Sequence, residues 1–181
     1  MQTSYAMIFE KNVDKAQPII HSFEPIADKN SRLLILGTMP SPASLAAGMY
    51  YAHPRNAFWR IMHDLTGDEP VSTNESKRKF LLNHGIALWD TLCLCKRRGA
   101  SDSNIKVEMP NSVETLVLRY KNISAVFLNG GAAYRYYNKY HAADITLPWY
   151  ALPSTSPANA SIGYEIKLET WRIIEKFLYS K

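Results

Sequence analysis

Apolar residues gather in four short runs separated by longer stretches with helical spacing. Leu33 to Leu36 is apolar throughout and ends at Gly37. Ile86 to Leu92 is apolar but for Asp90 and Thr91. Ile123 to Leu128 stops at Asn129-Gly130-Gly131, and Trp149 to Leu152 runs into Pro153. Short apolar runs bounded by turn residues predict buried strands. Between them, Phe58, Ile61, Met62 and Leu65 recur at i, i+3, i+4 and i+7, which predicts a helix from about Asn56 to Thr66, ended by Gly67. Asn74 is placed to cap a helix carrying Phe80, Leu81 and Leu82 that closes at Gly85. Pro110 or Asn111 begins a helix with Val113, Leu116, Val117 and Tyr120, and a Tyr-rich helix follows Gly131. A last helix, about Gly163 to Tyr179, brings Ile166, Trp171, Ile174 and Phe177 together. Residues 1–30, broken by Pro18 and Pro25, predict an irregular lead-in with Ile19, Ile20, Phe23 and Ile26 packed inward. Lys96 to Lys106 predicts a basic, polar loop.

Strands that alternate with helices predict an α/β fold with a mostly parallel sheet between helical layers. The 181 residues fit one domain. Loops after Leu36, around Asp90 to Asn104, at Asn129 and after Leu152 leave the same sheet edge and should converge on one cleft. A net charge of +5 is compatible with a polyanionic partner and equally with a neutral one. The two cysteines, Cys93 and Cys95, are too close in sequence for an ordinary disulfide. Two thiols alone hold neither an iron–sulfur cluster nor a structural zinc. A reduced, cytoplasmic setting is expected. No basic-then-apolar leader pattern opens the chain, and no apolar run approaches the ~18 residues of a membrane span, so no membrane partner is expected.

Familiar catalytic signatures are missing. The chain has no P-loop, no G-x-G-x-x-G after a strand and no G-x-S-x-G elbow. His21, His53, His63, His84 and His141 are scattered, with no pair at metal-ligand spacing. Chemistry therefore concentrates in two loops, Gly37 to Trp59 and Leu152 to Ala160. Their small residues allow close backbone approach to a ligand. Ser41, Ser44, Ser154, Thr155 and Ser156 bring hydroxyls and main-chain N–H groups, which suit phosphate oxygens. Tyr50, Tyr51 and Phe58 offer flat faces, and Asn56 and Asp90 offer directional hydrogen bonds. A planar base beside a phosphodiester would use all of these. Turn-forming loops with aromatics tucked into the core would show the same residues.

Gly37-x-x-Pro-Ser41 followed by Gly48-Met-Tyr-Tyr-Ala-His-Pro-Arg-Asn-Ala-Phe-Trp59 resembles the first motif of the uracil-DNA glycosylase superfamily. Leu152-Pro-Ser-Thr-Ser-Pro-Ala-Asn159 resembles its second. Within the superfamily the chain is most similar to the hypoxanthine-DNA (deoxyinosine) glycosylase branch, which Trp89-Asp90 and the segment Cys95 to Ile105 also fit. The resemblance spans about Ser31 to Ile162. It implies an α/β/α sandwich on a four-stranded parallel sheet, strand order 2-1-3-4. The implied activity is hydrolysis of the N-glycosidic bond of a deaminated base, with no metal or cofactor. The partner is then DNA containing such a base, met by a monomer.

Many members carry Asp or Asn where this chain has Met39, and His or Asn where it has Leu152. Both changes point away from uracil excision by the usual route, and the four cysteines of the iron–sulfur branches are missing. The branch places the catalytic Asn at Asn56. Phe58 is expected to stack on the extruded base, and an ionised Asp90 to accept from its N–H edge. Gly37, Met39, Tyr50 and Asn129 would line the base pocket. Pro40, Ser41, Ser44, Ser154, Thr155, Ser156 and Asn159 would hold phosphate, with Lys96, Arg97 and Arg98 adding salt-sensitive attraction. The alternatives are a uracil- or thymine-mismatch glycosylase, a non-catalytic nucleic-acid-binding module on the same fold, and a nucleotide- or small-molecule-binding α/β protein.

Overall fold

The computed structural model describes residues 18–178. In chain order its elements are β1 (Ile19–His21), β2 (Leu33–Gly37), α1 (Pro42–Ala47), α2 (Phe58–Thr66), α3 (Asn74–Asn83), β3 (Ile86–Asp90), β4 (Leu92–Lys96), β5 (Lys106–Pro110), α4 (Val113–Arg119), β6 (Ala125–Asn129), α5 (Gly131–Tyr140), β7 (Trp149–Leu152), α6 (Tyr164–Trp171) and α7 (Glu175–Leu178). Short 3-10 turns lie at Asp102–Asn104 and Arg172–Ile174.

Strands β3, β2, β6 and β7 form a parallel sheet in that order. Counting only the four strands expected from the sequence, the order is 2-1-3-4, as the resemblance implied. Side chains alternate across each strand, so β2 feeds both faces. Leu33 and Ile35 pack with Phe58, Ile61, Met62, Phe80, Leu81 and Trp171, from α2, α3 and α6. Leu34 and Leu36 pack with Val113, Leu116, Ala133 and Tyr137, from α4 and α5. The result is a three-layer α/β/α core.

The α2 stripe is buried as its spacing predicts. The helix starts at Phe58 rather than Asn56, because Asn56 Oδ1 accepts the Phe58 N–H at 3.0 Å and stays outside the helix. The cap of α3 is Thr73, in a reciprocal box with Ser76, not Asn74, which instead donates to the Ala47 carbonyl. Helix α4 begins after Asn111, whose amide donates to the carbonyls of Asp90 and Leu92 at 2.8 and 2.9 Å and holds the bend between β3 and β4.

Two expectations are corrected. The second predicted strand divides at Thr91, whose N–H donates to the Gly37 carbonyl. Beyond that bend, β4 joins β1 and β5 in an antiparallel three-stranded sheet. Part of the lead-in is thus a strand, with Ile20 buried and Ile19 48% exposed, while its first 17 residues lie outside the described ones. The basic loop is likewise framed by strands. The C-terminal helix is interrupted by the turn at Arg172–Ile174, and Tyr179 lies outside the described residues.

Candidate active site

One cavity opens at the carboxyl ends of β2, β3 and β6, where an α/β sheet places its ligands. Gly37 and Asp90 are partners in the β2–β3 ladder, so the last residue of one strand faces the last of the other. A Cβ on residue 37 would stand 2.5 Å from Asp90 Oδ1 and 2.9 Å from the Tyr51 hydroxyl. Only glycine admits both groups at the cavity floor. Asp90 is 2% exposed, and its Oδ2 has no hydrogen-bond partner among the described residues. Burial pushes its pKa well above the usual carboxylate range. The nearby Asp102 charge adds to the shift and Arg97 opposes it. The ionised reader expected from the sequence is therefore a carboxyl biased toward its neutral form.

Phe58 is corrected in role. It is 0% exposed, lies in the core against Trp171 and does not reach the cavity. Tyr51 lines the cavity in its place, with Phe58 packed behind it at 4.2 Å between centroids. Tyr51 adopts φ 55°, a left-handed conformation that bulky residues rarely take and that often marks a functional constraint. Its buried hydroxyl has no partner of full hydrogen-bond geometry, and burial, then the Asp90 charge, push its pKa up. The sequence carried the signal. Phe58 begins the i, i+3, i+4, i+7 stripe of α2, which assigns it to the core, whereas Tyr51 belongs to no stripe.

Asn56 lines the same cavity. Its Oδ1 is held by the Phe58 N–H, which leaves Nδ2 as the end of the amide open to a ligand. Tyr50 also lines the cavity but is anchored through its hydroxyl to the carbonyls of Phe23 and Glu24. Pro40, Ser41 and Ser44 form one wall, with Ser41 capping α1 and Ser44 accepting the Ala52 N–H. Ser154, Thr155 and Ser156, from the loop after β7, form another wall. Asn129 and Thr155 bond reciprocally, Nδ2 to Oγ1 at 2.9 Å and main-chain N–H to Oδ1 at 3.0 Å. The Ala57 N–H donates to the Thr155 carbonyl at 3.0 Å. The second loop is thus fastened both to β6 and beside Asn56.

The basic run is corrected as well. Arg97 is 1% exposed and donates to Asp102 Oδ1, the Gly99 carbonyl and the Pro40 carbonyl. It ties the turn after β2 to the loop after β4 and is not free for phosphate. Lys96 is buried in β4, and Arg98 alone of the three stands exposed. Asp102, which pattern reading left out, lines the cavity together with Thr38, and burial raises its pKa. Met39 turns into an apolar cluster with Ile20, Leu92, Cys95 and Tyr136 while still touching the cavity. Asn159 lies outside the cavity, in an adjoining groove with Ser101 and Ser103. Among the described residues, no three His, Cys, Asp or Glu side chains cluster to hold a metal ion, and no helix is long and apolar enough to cross a membrane.

The uracil DNA glycosylase superfamily model matches residues 24–175. A hypoxanthine DNA glycosylase of Methanosarcina barkeri is 37% identical over 109 residues, 60% of this chain and 69% of that protein. One of Methanosarcina acetivorans is 32% identical over 142 residues, 78% of this chain and 89% of that protein. The solution NMR structure of a candidate uracil DNA glycosylase from M. acetivorans superposes with a TM-score of 0.78 at 29% identity, covering 90% of this chain and all of that one. With the family model matching most of the chain and both motifs lining one cavity, the chain belongs to the uracil DNA glycosylase superfamily.

Proposed function

We propose that this superfamily member is a DNA glycosylase that releases hypoxanthine from deoxyinosine in DNA. The observation that carries this reading is the convergence of Tyr51, Asn56, Asp90 and the Ser154–Ser156 wall on one cavity. The target base must leave the stack before any side chain reaches its glycosidic bond. It would enter against the Tyr51 ring, which Phe58 stiffens from behind. Base–aromatic stacking is worth about 1–3 kcal/mol.

In its neutral form, which burial favours, the Asp90 carboxyl would offer an acceptor oxygen and a donor O–H side by side. Hypoxanthine offers the complement, an N1–H donor beside the O6 acceptor. Asn56 would direct its Nδ2 donor to the departing base. The serine walls would hold the flanking phosphates through hydroxyls and main-chain N–H groups. Met39 supplies no hydrogen bond, and Leu152 is buried in the core, so neither supports the usual uracil route.

The test is a glycosylase assay on oligonucleotides carrying single hypoxanthine, uracil, xanthine or ethenoadenine residues, in single and double strands. Hypoxanthine release with an alkali-labile abasic product is expected. Preferred release of uracil, or no release of any base, overturns the proposal.

A further inference from the structure

Beside the cavity, on the far side of Asn56, lies a second hollow lined by Arg55, Asn56, Arg60, Tyr164 and Lys167. It joins the start of α2 to the start of α6. Lys167 is 6% exposed. Among the described residues its ammonium donates to the Asn159 carbonyl at 2.8 Å, and no carboxylate pairs with it. An ammonium drawn partly out of water without a counter-charge is stabilised when an anion completes the site. Arg60 is oriented by stacking its guanidinium 3.7 Å over the Tyr164 ring. The Tyr164 hydroxyl donates to Asp64, and that carboxylate stands 3.9 Å from Arg60 Nε, so Asp64 offsets part of one charge only. Arg55 is exposed at the rim. Helix α2 has no acidic residue in its first turn to oppose an anion.

We propose that this hollow seats a DNA backbone phosphate next to the extruded nucleotide, with Lys167, Arg60 and Arg55 as its cationic ligands. This rests on the glycosylase reading for the identity of the polymer. It moves the electrostatic grip from the Lys96–Arg98 run, whose Arg97 is consumed inside the fold, to the Asn56 side of the cavity. Lys167 also couples the two flanks. Its ammonium holds Asn159, and the Asn159 side-chain amide donates to the Ser154 carbonyl at 3.1 Å. A phosphate in the hollow therefore meets the same loop that walls the base cavity. Burial pushes the Lys167 pKa down from the usual lysine range, and a bound phosphate would push it back up.

The experiment is fluorescence anisotropy with a duplex carrying a tetrahydrofuran abasic analogue, which needs no chemistry to be read. Affinity is followed across a salt series for the wild type, R55Q, R60Q, K167M and, as control, R119Q at the end of α4. Affinity should fall for R55Q, R60Q and K167M, and the slope of log affinity against log salt should become shallower in each, by up to about 0.9 when the one phosphate is no longer neutralised. R119Q should match the wild type. Slopes for R60Q and K167M equal to the wild type overturn the proposal. If K167M fails to fold by circular dichroism, R60Q and R55Q decide it. Hypoxanthine release by the wild type is scored separately. Release with unchanged slopes removes the hollow alone, and shallower slopes without release remove the glycosylase reading alone.

Discussion

Gly37→Ala probes the floor of the cavity with one methyl group. The added Cβ would sit 2.5 Å from Asp90 Oδ1 and 2.9 Å from the Tyr51 hydroxyl, where ordinary van der Waals spacing begins near 3.4 Å. Asp90 must retreat by about 0.9 Å and Tyr51 by about 0.5 Å, or the strand ends must part. Neither group has slack: Asp90 is buried beside the bend held by Asn111, and Tyr51 is backed by Phe58. Overpacking of this kind costs about 1–3 kcal/mol of stability. Misplacing reacting groups by about 1 Å costs about 100-fold in rate, equivalent to about 2.7 kcal/mol of barrier. Single-turnover release of hypoxanthine at saturating enzyme should fall about 100-fold, with the folded state retained at 25 °C. Gly163→Ala is the control, because nothing lies within 4 Å of a Cβ there and its φ of −62° suits alanine. A Gly37→Ala protein that is folded and as fast as the wild type refutes the placement of Asp90 and Tyr51 against the base.

Three further outcomes are expected under the glycosylase reading. Asn56→Ala should abolish detectable hypoxanthine release while lowering stability by only about 1 kcal/mol, the worth of the hydrogen bond that caps the Phe58 N–H; retained release removes Asn56 from the chemistry. Tyr51→Ala should weaken single-turnover K1/2 by about 1–3 kcal/mol of stacking and cost less stability than the same truncation at Phe58. Phe58→Ala should cost about 3–5 kcal/mol of stability through its cavity in the core, and the reverse ordering of these two variants refutes the exchange of roles. Burial raises the Asp90 and Asp102 pKa values, so the folded protein binds more protons than the unfolded chain above about pH 4. Their contribution to stability is fully present below the unfolded pKa and is lost as pH rises through the folded values. Asp90→Asn should flatten that decline in urea unfolding measured against pH, and an unaltered profile refutes the assignment.

Strands β2 and β6 were legible because they are buried on both faces and read as unbroken apolar runs, and β3 and β7 because their shorter apolar stretches stop at turn residues. The antiparallel sheet was not. Leu92-Cys-Leu-Cys-Lys resembles the tail of the preceding strand, and its true partners, Ile19–His21 and Lys106–Pro110, are remote or weakly patterned. Strand pairing across such distances leaves no local signature. Helix α1 did leave one, Ser41 as cap with Pro42 at the first position, but it lay inside a stretch read as loop. At the site, residue types were legible and orientation was not. Arg97 looked like a surface cation because arginine usually is one. Only the fold brings the Pro40 carbonyl and Asp102 around it.

The neutral bias of Asp90 bears on what the cavity favours. Met39 is packed against Ile20, Leu92 and Tyr136, so the first turn offers no side chain to activate water. Under the glycosylase reading, catalysis then acts on the departing base, on which negative charge grows. An ionised Asp90 about 4 Å from that charge would oppose it by about 4 kcal/mol at an effective dielectric of 20, roughly a thousandfold in rate. Burial and the neighbouring Asp102 disfavour that ionised form, and the protonated acid can donate to O6 as charge develops there. The cost falls on selectivity, because a carboxylate would reject the N1 acceptor of adenine and a neutral acid does not. Discrimination then rests on extrusion. Hypoxanthine in a mispair leaves the stack more cheaply than paired adenine. Under the glycosylase reading, specificity then rests in part on the duplex: slow release of adenine from single-stranded oligonucleotides is the expected leak, and its absence beside hypoxanthine release refutes the neutral acid as base reader.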